Sequence, residues 1–269
     1  MIPKRHGKDG QYEVTVPSWS DKLVGEVVRL LLEAIYEPVF SDQSHGFRKG
    51  RGCHTALREI RETWTGTVWF IEGDISDCYG SIDHDILMGI LAEKIRDQRF
   101  LRLIRNMVRA GYLEDWEYRD TLSGVPQGGV VSPVLSSIYL DKLDKFVGQE
   151  LIPQYTRGER RAPDPEYHRM GSRLATTRRR GDRAAARDLE RQLRALPAGD
   201  PMDPGYRRLR YIRYADDHLL GFTGPKAEAE DIRARLAAFL RETLGLELNQ
   251  DKTLITHART QTARFLGYD

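Results

Sequence analysis

The chain has 269 residues, 40% of them hydrophobic and 30% charged, with a net charge of +2, enough for a substantial core in one large domain or two smaller units. No run approaches the roughly 18 apolar residues of a membrane helix, and the basic start Ile2-Pro3-Lys4-Arg5-His6 lacks the apolar stretch of a secretory signal; a membrane protein is excluded and the cytoplasm is the default. Cys53 and Cys78 are too few for a disulfide framework and are not spaced as a zinc site. The modest net charge hides an asymmetry. Residues 157–213 hold 16 Arg, no Lys and 8 acids, a net of +8, which leaves the remainder at −6.

In chain order, a short strand-like piece, Tyr12 to Val16, precedes a helical pattern from Asp21 to Tyr36, with Leu23, Val27, Leu30, Leu31 and Ala34 on one side. Ser20 is its expected N-cap and Pro38 its stop. Ser44 to Gly52 combines glycine turns, Phe47 and the cations Arg48, Lys49 and Arg51. It reads as a loop against phosphate or template backbone, or as a plain connector, before a helix from His54 to Trp64. Val68 to Ile71 is a strand, and Asp83 caps a helix to about Ile95. A second helix follows from Phe100 to Ala110. Ser132-Pro133 opens a long helix with the apolar stripe Leu135, Ile138, Tyr139, Leu143, Phe146 and Val147.

Residues 148–208 break this order, with six prolines around an Arg-rich stretch interrupted at Gly181. Leu189, Leu193 and Leu196 give its second half a weak apolar stripe, so the spacing predicts a helical hairpin on the surface. Arg offers a planar fork that suits phosphate oxygens, and the block, Arg178, Arg179 and Arg180 above all, reads as a nucleic-acid surface. The alternative is a solvated insertion face. Beyond it, Pro225 starts a helix whose Ile232, Leu236, Phe239, Leu240 and Leu244 face a core, with Gly245 as its stop. Strands Leu246 to Leu248 and Thr253 to Thr256 close the chain.

Tyr214-Ala215-Asp216-Asp217 joins the apolar runs Leu209 to Tyr214 and Leu219 to Phe222. Asp is a common turn residue, and an isolated Asp-Asp would need no further explanation. A second acid, Asp74, follows the strand Val68 to Ile71, however, and strand-end carboxylates from distant segments can converge. Three such acids make an oxygen site suited to Mg²⁺, and two ions about 3.5 to 4 Å apart can clamp an in-line phosphoryl transfer. Asp77 and Asp83 read as local turn and cap residues. The layout is an α+β fold with an antiparallel sheet backed by helices.

Gly73-Asp74-Ile75, Ser81-Ile82-Asp83-His84, Pro126-Gln127-Gly128-Gly129, Tyr214-Ala215-Asp216-Asp217 and Phe265-Leu266-Gly267-Tyr268 follow one another in that order. With these blocks the chain resembles a group II intron reverse transcriptase (maturase) from Ile2 to its last residues. The resemblance implies a right-hand polymerase: partial fingers over 1–65, palm with fingers helices over 66–147, the insertion over 148–208, and palm completion over 209–269, with the thumb absent. It implies Asp74, Asp216 and Asp217 as ligands of two Mg²⁺ ions, with Mn²⁺ able to substitute, Asp216 being a fuller ligand than Asp217. Tyr79 would lie beneath the incoming sugar as a steric gate, Gln127 and Gly128 beside the nucleotide, and Lys252 near the departing pyrophosphate. Each has a plainer alternative: a core aromatic, a helix-entry turn, a solvated lysine.

Implied partners are an RNA template with a DNA primer, dNTPs and intron RNA. Tyr12-Glu13-Val14-Thr15-Val16-Pro17 stands where the family has Arg-Pro-Leu-Gly-Ile-Pro, which leaves Lys4, Arg5 or Lys8 to hold the triphosphate. His218 stands at a position that is usually apolar. Two alternatives to RNA-directed DNA synthesis follow: an RNA-binding splicing cofactor with an idle centre, and an RNA-directed RNA polymerase, which would want a smaller or polar residue at Tyr79.

Overall fold

The computed structural model describes residues 19–110, 112–114, 117–119, 123–125, 129–200 and 203–268. The expected strand Tyr12 to Val16 lies outside them. Helix α1 (Trp19–Tyr36) runs into a 3₁₀ turn (Glu37–Val39), and α2 (Cys53–Thr63) leads to strand β1 (Trp69–Gly73). Short α3 (Cys78–Ser81), α4 (His84–Ala92) and α5 (Gln98–Arg109) follow, then the strand pair β2 (Tyr112–Glu114) and β3 (Glu117–Arg119). Asp83 caps α4 by accepting from the Asp85 and Ile86 amides, the local role expected of it. Asp97 caps α5 in the same way.

The long helix α6 (Ser132–Phe146) continues through a π turn (Val147–Leu151) into α7 (Ile152–Gln154), past the expected break at residue 148. It is buried on almost every side, its stripe joined by Ser136, Ser137, Asp141 and Asp144. The Arg-rich segment forms the expected helical hairpin, α8 (Pro165–Arg179) and α9 (Arg183–Ala195). Asp164 and Asp182 cap these helices, and Gly181 turns between them at φ 78°, a left-handed conformation that glycine takes without penalty. The hairpin's base is closed by bridges Arg157–Arg207 and Pro163–Gly199.

Strands β4 (Arg208–Tyr214) and β5 (Asp217–Thr223), helix α10 (Lys226–Leu244) and strand β6 (Ile255–His257) complete the described chain. The main sheet has the order β4-β5-β1-β6, every neighbour antiparallel. Helices α6 and α10 pack against this sheet in one apolar core, with the Phe146 and Phe239 rings stacked at 4.2 Å. A smaller cluster of Ala56, Trp64, Ile212, Leu219 and Phe265 fills the α2 side.

Four expectations change. Ser20 is inside α1 rather than its cap. The face of α1 that packs is Gly25, Val28, Leu32 and Tyr36, while Leu23, Val27, Leu30, Leu31 and Ala34 are exposed. This helix is apolar almost all round, so periodicity did not determine its buried side; Gly25, within 3.8 Å of Met107 and Val130 if given a Cβ, is where it fits closely. Leu246 to Leu248 forms no strand, since only Leu248 bridges to Ile75, and the last strand is Ile255–His257 rather than Thr253 to Thr256.

Candidate active site

The register of β1 against β5 pairs Gly73 with His218, so Asp74 leaves the sheet beside the start of β5. The β4–β5 hairpin is closed by Tyr214 opposite Asp217, which leaves only Ala215 and Asp216 at its tip. Ala215 holds φ 57°, a sparsely populated region for a residue with a Cβ. Surrounding structure sustains it. The segment Gln43 to His45 runs beside β4, with hydrogen bonds from the His45 amide to the Arg213 carbonyl and from the Arg213 amide to the Gln43 carbonyl, both 2.8 Å. Gly46 then passes so close that a Cβ there would lie 2.3 Å from the Ala215 nitrogen.

Beneath the tip, Arg213 is 1% exposed and Asp144 is 2% exposed. The guanidinium donates to both Asp144 oxygens at 2.7 and 2.6 Å, to the Ala215 carbonyl at 2.6 Å and to Ser44 Oγ at 3.0 Å. Tyr211 OH donates to Asp144 Oδ1 at 2.8 Å. A buried charge is tolerable when paired and hydrogen-bonded in this way. His218 supports the other side: its ring fills the space a Gly73 Cβ would need, with Nε2 at 2.0 Å from that point. Burial pushes the imidazole down to about 4, so the ring is neutral at pH 7. Nδ1 lies 3.2 Å from the Asp216 carbonyl, which accepts, and Nε2 has no partner.

A cavity of about 400 Å³ opens here, with Asp74, Asp217, Lys252, His218 and Arg264 among its walls. Asp217 is pushed up to about 6 by burial first, then by the charges of Asp216 and Asp74, against the pull of Lys252. Asp216 is also raised, by burial and by Asp74, with Arg213 and Lys252 opposing. The three acids therefore feel one another's charge. Lys252 Nζ lies 3.2 Å from Asp74 Oδ2. Among the described residues no three His, Cys, Asp or Glu side chains are gathered into a ready ion cage. The donor chemistry nonetheless suits a hard divalent cation, because mutually repelling, desolvated carboxylates are what such an ion neutralises.

Tyr79 is half-buried in α3, packed against the main core. Burial and then the Asp216 charge push its phenol up to about 12, and Ser136 hydrogen-bonds it. Lys8, Gln127 and Gly128 lie outside the described residues. Arg48 needs correction as a phosphate contact: its side chain is 6% exposed, bound to Glu37 and to the Ser41 and Ser44 carbonyls, and it lies over Phe40. It organises the loop. Arg51 is held by Asp42 at 2.7 Å. Arg178 pairs with Glu190, while Arg179 and Arg180 are exposed. Sequence reasoning missed Gly46, Asp144 and Arg213; the available signal was charge inside apolar runs, in Arg208 to Tyr214 and in α6.

The model of the family "Reverse transcriptase (RNA-dependent DNA polymerase)" matches residues 2–160. The chain belongs to the reverse transcriptase family. The chain is 44% identical over 261 residues to the group II intron-encoded protein LtrA of Lactococcus lactis, covering 94% of the chain and 43% of that protein. It is 39% identical over 270 residues to a 91 kDa protein of the cob intron of Schizosaccharomyces pombe, covering 99% and 33%. The chain thus spans less than half the length of these relatives. The resemblance to group II intron reverse transcriptases and maturases holds. A telomerase structure from Candida albicans shares the fold at TM-score 0.53 and 16% identity, over 91% of this chain and 36% of that one.

The raised Asp217 has a stability consequence. Its folded value of about 6 lies above an unfolded value of about 3.9, so the folded state holds the proton more tightly. The resulting cost is absent below about pH 4, grows as pH rises to about 6 and is complete above that. After allowance for solvent screening, Asp217→Asn should stabilise the protein by on the order of 2 kcal/mol at pH 8 and by nothing near pH 4. Melting with EDTA present checks this, and a gain equal at both pH values counts against it.

Proposed function

We propose that this reverse transcriptase catalyses RNA-directed DNA synthesis, adding dNTPs to a DNA primer on an RNA template. The reading is supported by Asp74, Asp217 and Lys252 lining one cavity, with Asp216 at the adjoining hairpin tip and the charges of Asp74 and Asp216 felt by their neighbours. In this reading Asp74, Asp216 and Asp217 hold Mg²⁺, which when bound neutralises phosphate charge and acidifies the primer hydroxyl. The primer 3′-hydroxyl gives its proton to solvent and its oxygen bonds to the α-phosphorus, the bond to the bridging oxygen of the β-phosphate breaks, and Lys252 gives a proton to the pyrophosphate that leaves. Catalysis is mostly positioning and charge neutralisation. Ala215 and Arg213 hold the hairpin tip, and Lys252, 3.2 Å from Asp74 Oδ2, would yield that oxygen where a divalent ion is held.

Extension of oligo(dT) on poly(rA) with dTTP or UTP tests the reading directly. Divalent-dependent use of dTTP is expected; incorporation of UTP alone would favour an RNA polymerase, and RNA binding without extension a splicing cofactor. The exposed Arg179 and Arg180 support RNA contact under either outcome.

Tyr79 sets the sugar choice in this proposal, its ring occupying the space a 2′-hydroxyl would need near Asp216. Tyr79→Ala should raise the ratio of UTP to dTTP incorporation at least tenfold, on the order of 1.4 kcal/mol, with dTTP use mildly impaired. An unchanged ratio in single-turnover incorporation would make Tyr79 a core aromatic only.

A further inference from the structure

Helix α4 carries a glycine, Gly89, in its middle, where glycine costs a helix stability relative to alanine. The fold does not require it: a Cβ added there meets nothing within 4 Å. Gly89 instead forms part of a cleft of about 450 Å³ between α4 and α5, walled by Met88, Ala92 and Leu101 and edged by Arg102 and Arg105. That volume falls within the roughly 300 to 1,000 Å³ of small-ligand clefts. A side chain at 89 would project into it.

The cleft borders the densest row of cations outside the insertion. Residues 94–109 hold Lys94, Arg96, Arg99, Arg102, Arg105 and Arg109 against one acid, Asp97, a net of +5. At about 100° per residue, Arg99, Arg102, Arg105 and Arg109 share an arc of about 120° on α5, spaced about 4.5 to 6 Å along its axis. Leu101, Ile104 and Val108 are buried on the opposite face. Asp97 lies 3.8 Å from Arg99, and Asp85 lies 3.3 Å from Arg105 at the cleft edge. Arg96, Arg102 and Arg109 have no ion-pair partner among the described residues.

We propose that this face is a second nucleic-acid site, distinct from the acidic centre, which binds single-stranded RNA with one unstacked base in the α4–α5 cleft and its phosphates along the α5 arginines. A row of guanidinium groups with a partly apolar slot beside it suits a strand whose bases are free to leave the stack, and positive charge selects a polyanion. The site does not depend on polymerase chemistry.

Binding of a labelled oligo(U) to the full chain in EDTA, without dNTPs, tests it by anisotropy across a salt series. Arg99→Gln with Arg102→Gln and Arg109→Gln should weaken binding at least tenfold and make the slope of log affinity against log salt shallower by about 2, since each single-strand phosphate contributes about 0.7. Gly89→Leu should weaken binding severalfold with an unchanged slope, because it closes the slot and leaves the phosphates. The assay contains neither a divalent ion nor dNTPs, which keeps a failure here apart from a failure of the polymerase reading. Unchanged affinity and slope in the arginine variant, with melting temperatures matching the parent, would overturn the site. So would competition by duplex RNA or polyglutamate equal to that of oligo(U).

Discussion

Asp144→Ala is expected to destabilise the protein by about 3 to 5 kcal/mol, the usual loss when one member of a buried ion pair is removed. Arg213 would remain 1% exposed without the carboxylate that takes two of its hydrogen bonds, and Tyr211 would lose its acceptor. Asp144→Asn should fall between, because an amide oxygen still accepts but brings no charge. Urea unfolding of the three proteins measures the order. A loss below about 1 kcal/mol for Asp144→Ala would mean that water or another acid reaches Arg213. The same variant should impair any activity of the centre, since Arg213 also donates to the Ala215 carbonyl at the hairpin tip.

Asp216→Asn is expected to reduce single-turnover extension on poly(rA) and oligo(dT) at least a thousandfold, about 4 kcal/mol of barrier, without loss of fold. The expectation follows from charge: Asn keeps the size and gives up the anion that the proposed ion needs. Because the carboxylate is raised by burial and by Asp74, its removal should leave the melting temperature equal or higher. Activity within tenfold of the parent would rule out Asp216 as an ion ligand. Asp74→Asn run in parallel asks whether the strand-end acid is as necessary as the hairpin acid, and a lesser effect there would shift the centre onto the adjacent pair.

The elements that were legible from sequence are those with one strong local signal. Helix α10 has a proline before it, a glycine after it at φ 61°, and between them a clean stripe that is buried at Ile232, Leu236, Leu240 and Leu244. The acid hairpin was equally plain, since the two apolar runs leave only the four residues Ala215 to His218 between them. Helix α1 was not, because a helix apolar on most faces does not announce which one packs. Arg48 misled for another reason: a cation in a glycine-rich loop looks the same in sequence whether it meets phosphate or, as here, Glu37 and two carbonyls. Asp144 and Arg213 are 69 residues apart, and no local pattern pairs them. Gly46 and Gly73 are explained only by what passes over them, the Ala215 backbone and the His218 ring.

The seating of Ser44 to Gly46 against Arg213 to Ala215 also governs how the molecule comes into being. Ser44 leaves the ribosome long before Arg213, 169 residues later, and contacts so distant in sequence close slowly because the intervening loop must first be ordered. Asp144 meanwhile sits on a helix destined for burial with no guanidinium to meet it. A nascent chain that stalls within the Arg-rich insertion should therefore carry a loosely packed α6, open to proteolysis, whereas one that reaches β5 should become resistant in a single step. Limited digestion of ribosome-bound chains ending on either side of Arg213 would reveal that step as the moment at which the acidic tip is assembled.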